Sequence, residues 1–491
     1  MIGRRLRLRT NSSSYLSPQF SLLSNDQLEQ IHLASLEILD SVGVQVDEPE
    51  ALELLGRGGA FVDGDRVKIP AWMVQDALAS APARVVLSNS KGERSLFLEK
   101  NRPYFGTGSD LPYTIDTYTG KKRYSTKKDV ENAALVVDAL PNIDFVMSMG
   151  IATDVPASVS DLRQFEAMVT CTSKPIVFTS HHRQGLLDIL EMSAVIVGGK
   201  ANLQQNPFLA CYSEPISPLR HTIDGTQKLL TCAEWGIPVI YTPGLMAGAT
   251  GPVTLAGAVA VANAELLSGL VIHQLKKRGA PFIYGGTATI MDMRTTLLSY
   301  AAPEMHLNQV VITQLGQKYN LPIFGIGGCS DSPILDEQAT AEAMYTLLLA
   351  GLSGANLIHD VGYVGSGLIL SLASIVINDE LVSMVRRTLR SYEVNEESLA
   401  LSVIAQVGPG GEFVTHEHTL RHFKEELWLP RLIERRKYEE WHDGGSRTLA
   451  ERANEVVKQL LSGAEKKALP DDVCQELQKI IKFAEKRYEN Q

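Results

Sequence analysis

Short apolar segments recur along the middle of the chain, and most of them end in Gly, Ser, Thr, His or Asp. Their β-branched and aromatic residues are typical of buried strands. The stretches between them, such as residues 129–140 and 256–275, have the apolar spacing of helices. The predicted strands begin near Tyr104, Phe145, Pro175, Phe208, Pro238, Phe282, Pro322 and Asn356.

Eight strands that alternate with helices predict a closed (β/α)8 barrel. Consecutive strands begin about 36 residues apart, which leaves room for one crossover helix between parallel neighbours. Their continuous apolar character indicates strands that are covered on both faces. An open doubly wound sheet is the alternative. That fold carries three phosphate-binding glycines after its first strand, and here Leu111 stands in the third position after Gly106 and Gly108.

The pattern changes on both sides of the barrel, so the sequence predicts three parts. Residues 1–100 mix helical and strand-like segments and are predicted to form an α+β extension. Residues 101–370 are predicted to form the barrel. Residues 371–491 carry charged, amphipathic helical patterns and are predicted to pack on the barrel as a helical segment. The apolar face of the last helix suggests a homo-oligomer.

The composition excludes several classes of protein. The chain has 46 basic and 56 acidic side chains among 491 residues, a net charge of −10, whereas a nucleic-acid binder needs a basic face. Its five cysteines form no CxxC motif, which favours free thiols in the cytoplasm. The longest apolar run, residues 255–275, contains Asn263, Glu265 and His273, and therefore indicates a buried helix instead of a membrane span.

The chemistry of the predicted barrel should lie where its strands end, because enzymes of this architecture place their active sites there. The strand ends carry tyrosines, glycine pairs and carboxylates, with few basic residues nearby (Arg183, Arg220 and Arg294). Aromatic rings with carboxylates favour a small cation. The Gly327-Gly328 loop could instead bind a phosphate through backbone N–H groups, and some of the tyrosines are expected to pack in the core.

One histidine cluster suggests a metal site but does not fulfil the pattern. His416 and Glu417 begin as an HExxH motif would, and Leu420 stands where its second histidine belongs. The sequence therefore predicts no metal centre.

Several motifs together resemble the trimethylamine methyltransferase superfamily. They are Gly285-Gly286-Thr287, the segment GIGGCSDSPILDEQ from Gly325, the stretch LSGANLIHDVG that ends at Gly362, and THEHTL from Thr415. The resemblance covers roughly residues 25–460 and implies a (β/α)8 barrel. It also implies transfer of a methyl group from a methylamine to the cobalt of a separate corrinoid protein.

One departure from the family pattern narrows the range of expected substrates. The trimethylamine enzymes carry pyrrolysine near the end of the seventh strand, where this chain has Gly327, Gly328 and Cys329. The chain therefore resembles the branch without pyrrolysine, which implies a quaternary amine, above all glycine betaine. Alternatives are another quaternary amine (carnitine, proline betaine or γ-butyrobetaine), a phosphate-binding barrel enzyme, or a non-enzymatic betaine-binding protein.

The resemblance assigns expected roles to particular residues. Gly327, Gly328 and Cys329 are predicted to leave room for the methyl group and the cobalt. Asp110 and Glu214 are predicted to face the ammonium, and His181, Thr287 and His359 to bind a carboxylate. The candidates for an aromatic cage are Tyr113, Tyr212, Tyr241, Tyr284 and Tyr363. No metal and no tightly bound cofactor are expected, because the methyl acceptor is Co(I) of a corrinoid on the partner protein.

Overall fold

The computed structural model describes residues 18–390, 392–463 and 469–489. Its N-terminal elements alternate short helices and strands, and a π-helical turn, Ile38–Val42, follows the first helix. They are α1 (Asn25–Glu37), β1 (Val44–Val46), α2 (Pro49–Gly58), β2 (Phe61–Asp63), β3 (Arg66–Lys68), α3 (Ala71–Ser80), β4 (Val85–Ser88) and β5 (Arg94–Leu98).

The middle of the chain forms the predicted barrel, with extra strands beyond several strand ends. The first half comprises β6 (Tyr104–Thr107), β7 (Tyr113–Ile115), β8 (Lys122–Tyr124), α4 (Lys127–Ala139), α5 (Ser160–Cys171), β9 (Ile176–Phe178), α6 (Arg183–Ile196), α7 (Lys200–Gln205), β10 (Leu209–Ser213), β11 (Arg220–His221) and α8 (Ile223–Trp235). The second half comprises β12 (Val239–Tyr241), β13 (Gly244–Ala247), α9 (Leu255–Lys276), β14 (Phe282–Gly285), β15 (Thr287–Met291), β16 (Leu298–Ser299), α10 (Pro303–Lys318), β17 (Ile323–Ile326), α11 (Glu337–Ser353), β18 (Leu357–Val361), β19 (Tyr363–Val364) and β20 (Ile369–Leu370).

Seven of the eight predicted barrel strands form one parallel sheet in the order β6-β18-β17-β14-β12-β10-β9. The eighth place is taken by the segment at Phe145, which is joined to β6 and β9 by single parallel bridges. The Thr107 hydroxyl explains this irregular pairing, since it accepts from the Met147 N–H (2.8 Å) and donates to the Met147 carbonyl (3.1 Å). A side chain thus replaces part of the backbone ladder, and the barrel is closed.

The barrel interior is a packed core, and the β4–β5 hairpin closes its lower end. Side chains from the hairpin and the strands form one cluster that includes Phe145, Ile240 and Phe324. The hairpin lies at the amino ends of the strands, because the Ser88 N–H donates to the carbonyl of Pro207, just before β10. The carboxyl ends are therefore left as the accessible mouth.

Two small sheets stand on the rim of this mouth. One has the order β13-β15-β16 and the other β19-β20-β7-β8. All of these strands belong to connections that leave the carboxyl ends of barrel strands. The rim sheets hold the mouth residues on regular backbone instead of loose loops.

Helix α9 is the long apolar helix that the sequence placed in the core. It is long and apolar enough to cross a membrane by length and composition, yet 78% of its most apolar window is buried inside the protein. It packs against α1, α3 and α8. A helix covered on all sides in this way accounts for its apolar composition without a bilayer.

The C-terminal part is helical, as its pattern predicted, and packs on the barrel helices. Helix α17 contacts α12 and α4, and the last helix contacts α6. Leu477, Ile481 and Ala484 of that last helix are buried within the chain. The apolar face that suggested a homo-oligomer is thus largely covered by α6. The elements are α12 (Leu372–Leu389), α13 (Glu396–Leu399), α14 (Leu401–Val407), α15 (Glu417–Glu426), α16 (Tyr438–Asp443), α17 (Leu449–Gly463) and α18 (Asp471–Glu489).

Candidate active site

The end of strand β10 places an aromatic ring and a carboxyl group in the mouth. Tyr212 faces the barrel interior, where its ring meets Phe324 edge-on with ring centroids 6.0 Å apart. Its hydroxyl donates to Glu214 Oε2 at 3.1 Å. Burial raises the pKa of both groups, Asp110 raises that of Glu214 further, and Glu214 does the same to Tyr212. Glu214 still reaches solvent, so it lines the open part of the mouth.

Two more tyrosines stand beside this pair. Tyr300 and Tyr363 meet edge-on with ring centroids 6.1 Å apart, and the Tyr363 hydroxyl donates to the Ser109 carbonyl at 2.5 Å. The Tyr300 N–H donates to Asp331 Oδ1 (2.8 Å), which anchors the connection that carries it. Burial raises the pKa of both tyrosines, and the Asp360 carboxyl adds to this. Both rings therefore stay neutral hydroxyl-bearing walls at ordinary pH.

At the end of β18, a histidine and an aspartate lie side by side. His359 stacks on Phe324 with ring centroids 4.0 Å apart, and its Nδ1 lies 2.7 Å from the Gly325 carbonyl. Its Nε2 lies 3.3 Å from Asp360 Oδ1. Burial lowers the pKa of His359 to about 4 and raises that of Asp360 to about 8. Burial thus favours the neutral form of both side chains.

Asp110 belongs to this acidic mouth, whereas Tyr113 lies on the rim. Asp110 Oδ1 accepts from Gln164 Nε2 at 3.1 Å, and its backbone has a φ of +63°. Tyr113 sits in β7, where the Lys122 ammonium lies 3.9 Å from the centre of its ring. A lysine of the chain itself already occupies that ring face, so Tyr113 is not gathered with the other mouth tyrosines.

Tyr241 and Tyr284 do not line the mouth, which corrects the expectation for both. The Tyr241 hydroxyl lies 2.7 Å from His221 Nδ1, and its ring packs on Gly269 of α9. The Tyr284 hydroxyl donates to Asn263 Oδ1 at 2.8 Å, also on α9. Alternation along a strand sends the side chains of neighbouring residues to opposite faces, and these two point outward to the helices. They are core residues with satisfied hydroxyls.

We expect Tyr284→Phe to lower the stability of the fold without changing the affinity for amines. The substitution leaves the buried Asn263 oxygen without its donor, which costs about 1–3 kcal/mol. Urea denaturation measures the stability of the variant, and calorimetry on the folded variant measures its affinity for the amine. Tyr118→Phe, at an exposed tyrosine, is the matched control for stability. A weaker affinity for the amine in Tyr284→Phe would show that this tyrosine belongs to the site.

The residues at the expected pyrrolysine position do not open a space, contrary to their predicted role. A Cβ on Gly327 would meet Ile358 and the backbone of α11, and one on Gly328 would meet Asn378 and Val361. Cys329 is fully buried, with Sγ 3.5 Å from the Tyr300 carbonyl, and burial raises the pKa of its thiol. These small residues allow close packing behind the strand, and Cys329 is unsuited to be a nucleophile.

His181, another of the carboxylate-binding candidates, lies apart from the cluster. His181 is exposed, and its Nε2 pairs with the Ser160 hydroxyl at 2.9 Å. The backbone of Thr287 begins β15 opposite Gly244, and its side chain lies outside the described part of the structure. Of the two candidates whose side chains the structure describes, only His359 lies among the tyrosines.

The sequence reasoning did not assign three residues that complete the cluster. Phe324 forms its base, Tyr300 one wall and Asp360 its buried acid. Asp360 could have been inferred from its place directly after His359 at a strand end. Tyr300 follows β16 in a long connection, and nothing in its local sequence indicates where that connection folds.

The mouth is acidic overall. Lys228 lies near Glu214 and donates to the Ser180 carbonyl at 3.0 Å. The other basic candidates lie elsewhere, since Arg220 pairs with Asp47 and the Arg294 side chain is 91% exposed. Within residues 18–390, 392–463 and 469–489, no group of three or more His, Cys, Asp or Glu side chains is arranged to hold a metal ion. The arrangement is suited to a small organic cation.

Comparison with known proteins places the chain in a family. A family model described as trimethylamine methyltransferase (MTTB) matches residues 7–490. The chain belongs to the trimethylamine methyltransferase family. Trimethylamine methyltransferase MttB of Desulfitobacterium hafniense (strain DSM 10664 / DCB-2) is 32% identical to this family member over 467 residues, 95% of this chain and 94% of the relative. Glycine betaine methyltransferase of D. hafniense (strain Y51) is 32% identical over 470 residues, 95% of this chain and 97% of the relative.

Solved structures support the architecture of this family member. The crystal structure of the monomethylamine methyltransferase MtmB of Methanosarcina barkeri superposes with a TM-score of 0.54, covering 91% of this chain and 89% of that one. The two sequences are 12% identical, so this likeness shows the (β/α)8 fold alone. The family match and the relatives show that the chain is a methyltransferase.

Proposed function

We propose that the chain transfers a methyl group from a quaternary amine to Co(I) of a corrinoid that a separate protein carries. The observation that carries this proposal is the meeting of Tyr212, Tyr300 and Tyr363 with two carboxyl groups, Glu214 and Asp360, at the barrel mouth. Ring faces attract quaternary ammonium groups, and nearby carboxylates add to this attraction. We assign the reaction to the cytoplasm, because none of the described cysteines forms a disulfide, which is typical of a reducing compartment.

In this reaction the barrel has only to bind the amine and orient it. Co(I) supplies the electron pair for the new bond to carbon, and the pair of the broken C–N bond stays on nitrogen. A quaternary nitrogen thereby becomes a neutral tertiary amine, which leaves without being protonated. The tyrosine cluster then acts by holding one N-methyl group toward the open mouth, where a partner protein can approach.

Glycine betaine is the first substrate to test, with dimethylglycine as its product. This choice rests on the sequence pattern and on the similarity to a glycine betaine methyltransferase. Carnitine, proline betaine and γ-butyrobetaine have the same reacting group and remain the second choice. Because the His359 Nδ1–H is already donated to the Gly325 carbonyl, that ring offers no free N–H to a carboxylate.

Supplying Co(I) cobalamin together with each amine tests the proposal directly. Formation of methyl-Co(III) is followed by the cobalt absorption spectrum, and dimethylglycine is assayed when glycine betaine is the donor. Turnover with a quaternary amine supports the proposal. Binding of an amine without any spectral change, also when a corrinoid protein from the same source is supplied, would indicate a betaine-binding protein instead.

We expect His359→Ala to raise the dissociation constant of the amine about tenfold or more, equivalent to about 1.4 kcal/mol. The substitution removes the ring that stacks on Phe324 and faces Asp360, so the base of the cluster loses its shape. Calorimetry measures the constant. His181→Ala, on an exposed residue, is the control. An unchanged dissociation constant in His359→Ala would remove this histidine from the site.

A further inference from the structure

Asp360 combines three unusual properties in one residue. Its side chain is buried, with only 2% of the residue exposed, and its Oδ2 has no hydrogen-bond partner. Its backbone has a φ of +77°, in the left-handed region that few residues other than glycine adopt. A buried polar atom without a partner and local backbone strain both lower stability, and they are concentrated at functional sites. The packing and hydrogen bonds of the fold leave this residue unexplained.

The neighbouring histidine shows where the proton of Asp360 lies. A carbonyl oxygen only accepts, so His359 Nδ1, 2.7 Å from the Gly325 oxygen, must carry a hydrogen. The ring is neutral because burial lowers its pKa to about 4, and its Nε2 is therefore a bare acceptor. Asp360 Oδ1 faces this acceptor at 3.3 Å. A protonated carboxyl can face this bare nitrogen favourably, whereas an ionised carboxylate would be repelled by the nitrogen lone pair.

The other groups around Asp360 do not compensate for an ionised carboxylate. The Tyr363 hydroxyl lies beside Asp360 and lowers the pKa of its carboxyl, but burial raises that pKa more, and the hydroxyl hydrogen is directed to the Ser109 carbonyl. Tyr212 and Tyr300 are neutral, and the Cys329 thiol has a raised pKa. The further charged or titratable groups that act on these side chains are Asp110, Glu214 and Asp331, all of them carboxyl groups. Among the described residues, a negative charge on Asp360 thus finds no positive partner.

A bound quaternary amine supplies that missing positive charge. We propose that Asp360 is neutral in the empty barrel and ionises when a quaternary ammonium occupies the tyrosine cluster, so that binding releases a proton to solvent. This inference rests on the proposed function, because it takes the amine site as given. The O–H bond of Asp360 breaks, its electron pair stays on the carboxylate, and the proton goes to water. The Asp360 carboxylate then forms an ion pair with the cation that the tyrosine rings hold.

The number of protons released and the pH dependence of the affinity follow from electrostatics. A positive charge within about 4–6 Å lowers the pKa of a carboxyl by about 1–3. Starting from a pKa of about 8, Asp360 would then release between about half and three-quarters of a proton per amine bound at pH 7.5. The ionised form binds the cation, and its fraction in the free protein rises with pH. The affinity should therefore increase up to pH 8 and level off above it, with about five- to tenfold tighter binding at pH 9 than at pH 7.

Calorimetry with tetramethylammonium tests the inference, because this cation cannot titrate or donate a hydrogen bond. Titrations of the full chain at pH 7.5 in buffers of different ionisation enthalpy measure the number of protons released. Asp360→Asn is the test variant, since asparagine has the same shape and also tolerates positive φ. Glu214→Gln is the matched control, because Glu214 is the other mouth carboxyl with a raised pKa. Circular dichroism checks that both variants are folded.

We expect proton release by the unmodified protein and none by Asp360→Asn, whose affinity should no longer change between pH 7 and pH 9. Release that disappears in Glu214→Gln but persists in Asp360→Asn would overturn the assignment to Asp360. Binding without proton release would overturn the inference and leave the proposed function intact. If neither tetramethylammonium nor any of the amines binds, the inference and the proposed function both fail.

Discussion

Replacing Tyr212 by alanine is expected to lower kcat/KM for the quaternary amine about 10- to 100-fold. The ring stands at the centre of the mouth, against Phe324 and above the interior of the barrel. A desolvated cation–π contact contributes about 2 kcal/mol, and each 1.4 kcal/mol is a factor of ten. Alanine also releases Glu214 from the Tyr212 hydroxyl and lets water into the cluster. Initial rates of cobalt methylation at varied amine concentrations measure the effect.

Two further variants distinguish the contribution of the aromatic ring from that of the hydroxyl and from a general loss of structure. Tyr212→Phe keeps the aromatic face and should retain kcat/KM within about threefold, because the hydroxyl bonds only Glu214 among the described groups. Tyr241→Phe changes a tyrosine that points outward to α9 and should leave the amine kinetics unaltered. Unchanged kinetics in Tyr212→Ala would contradict the aromatic cage.

Replacing Gly285 by alanine is expected to destabilise the fold by about 3–5 kcal/mol. Gly285 ends β14 with a φ of +134°, and a Cβ there would lie 2.2 Å from the Phe324 carbonyl oxygen and 2.9 Å from its nitrogen. These are backbone atoms of the adjacent barrel strand, which is paired with β14 at this residue. The strand can yield only by breaking the ladder, and Phe324, the base of the tyrosine cluster, would move with it.

Gly279→Ala is the matched control for this prediction. Gly279 also has a positive φ, +81°, but a Cβ there would meet nothing within 4 Å. Its substitution should cost only about 1–2 kcal/mol, the price of left-handed backbone for a residue with a Cβ. Denaturant unfolding of both variants compares them. Equal losses would show that the approach to Phe324 is not what requires glycine at 285.

The mouth tyrosines show how far strand ends can be read from sequence. Every candidate was chosen because it ends or follows a predicted strand, and that rule selected Tyr212, Tyr363 and His359, which the structure brings together. The same rule selected Tyr241 and Tyr284, which alternation along the strand turns outward to α9. A shift of one position exchanges the two faces of a strand, and continuous apolar strands carry no polar alternation that would mark the inner face.

Tyr300 and Asp360 illustrate the opposite case, in which chemistry arises from packing. Tyr300 reaches the mouth because Asp331 accepts hydrogen bonds from the backbone N–H groups of Tyr300 and Ala301, which ties one connection to another. Asp360 has its raised pKa because the barrel buries it among tyrosines. Asp331 is about thirty positions from Tyr300, and the groups around Asp360 include Tyr212 and Tyr300, which are far from it in sequence.

The sequence by itself determined the barrel, its flanking parts and the family, because strand and helix periodicity and short motifs are local properties of the chain. The regular succession of apolar strands and amphipathic helices allows one closed architecture, and the glycine motifs at the strand ends identify it further. The tertiary structure alone decided which side chains meet in the mouth and which of them carry charge. Facing direction, burial and the electrostatic field depend on contacts between residues up to hundreds of positions apart, and these exist only once the barrel has closed.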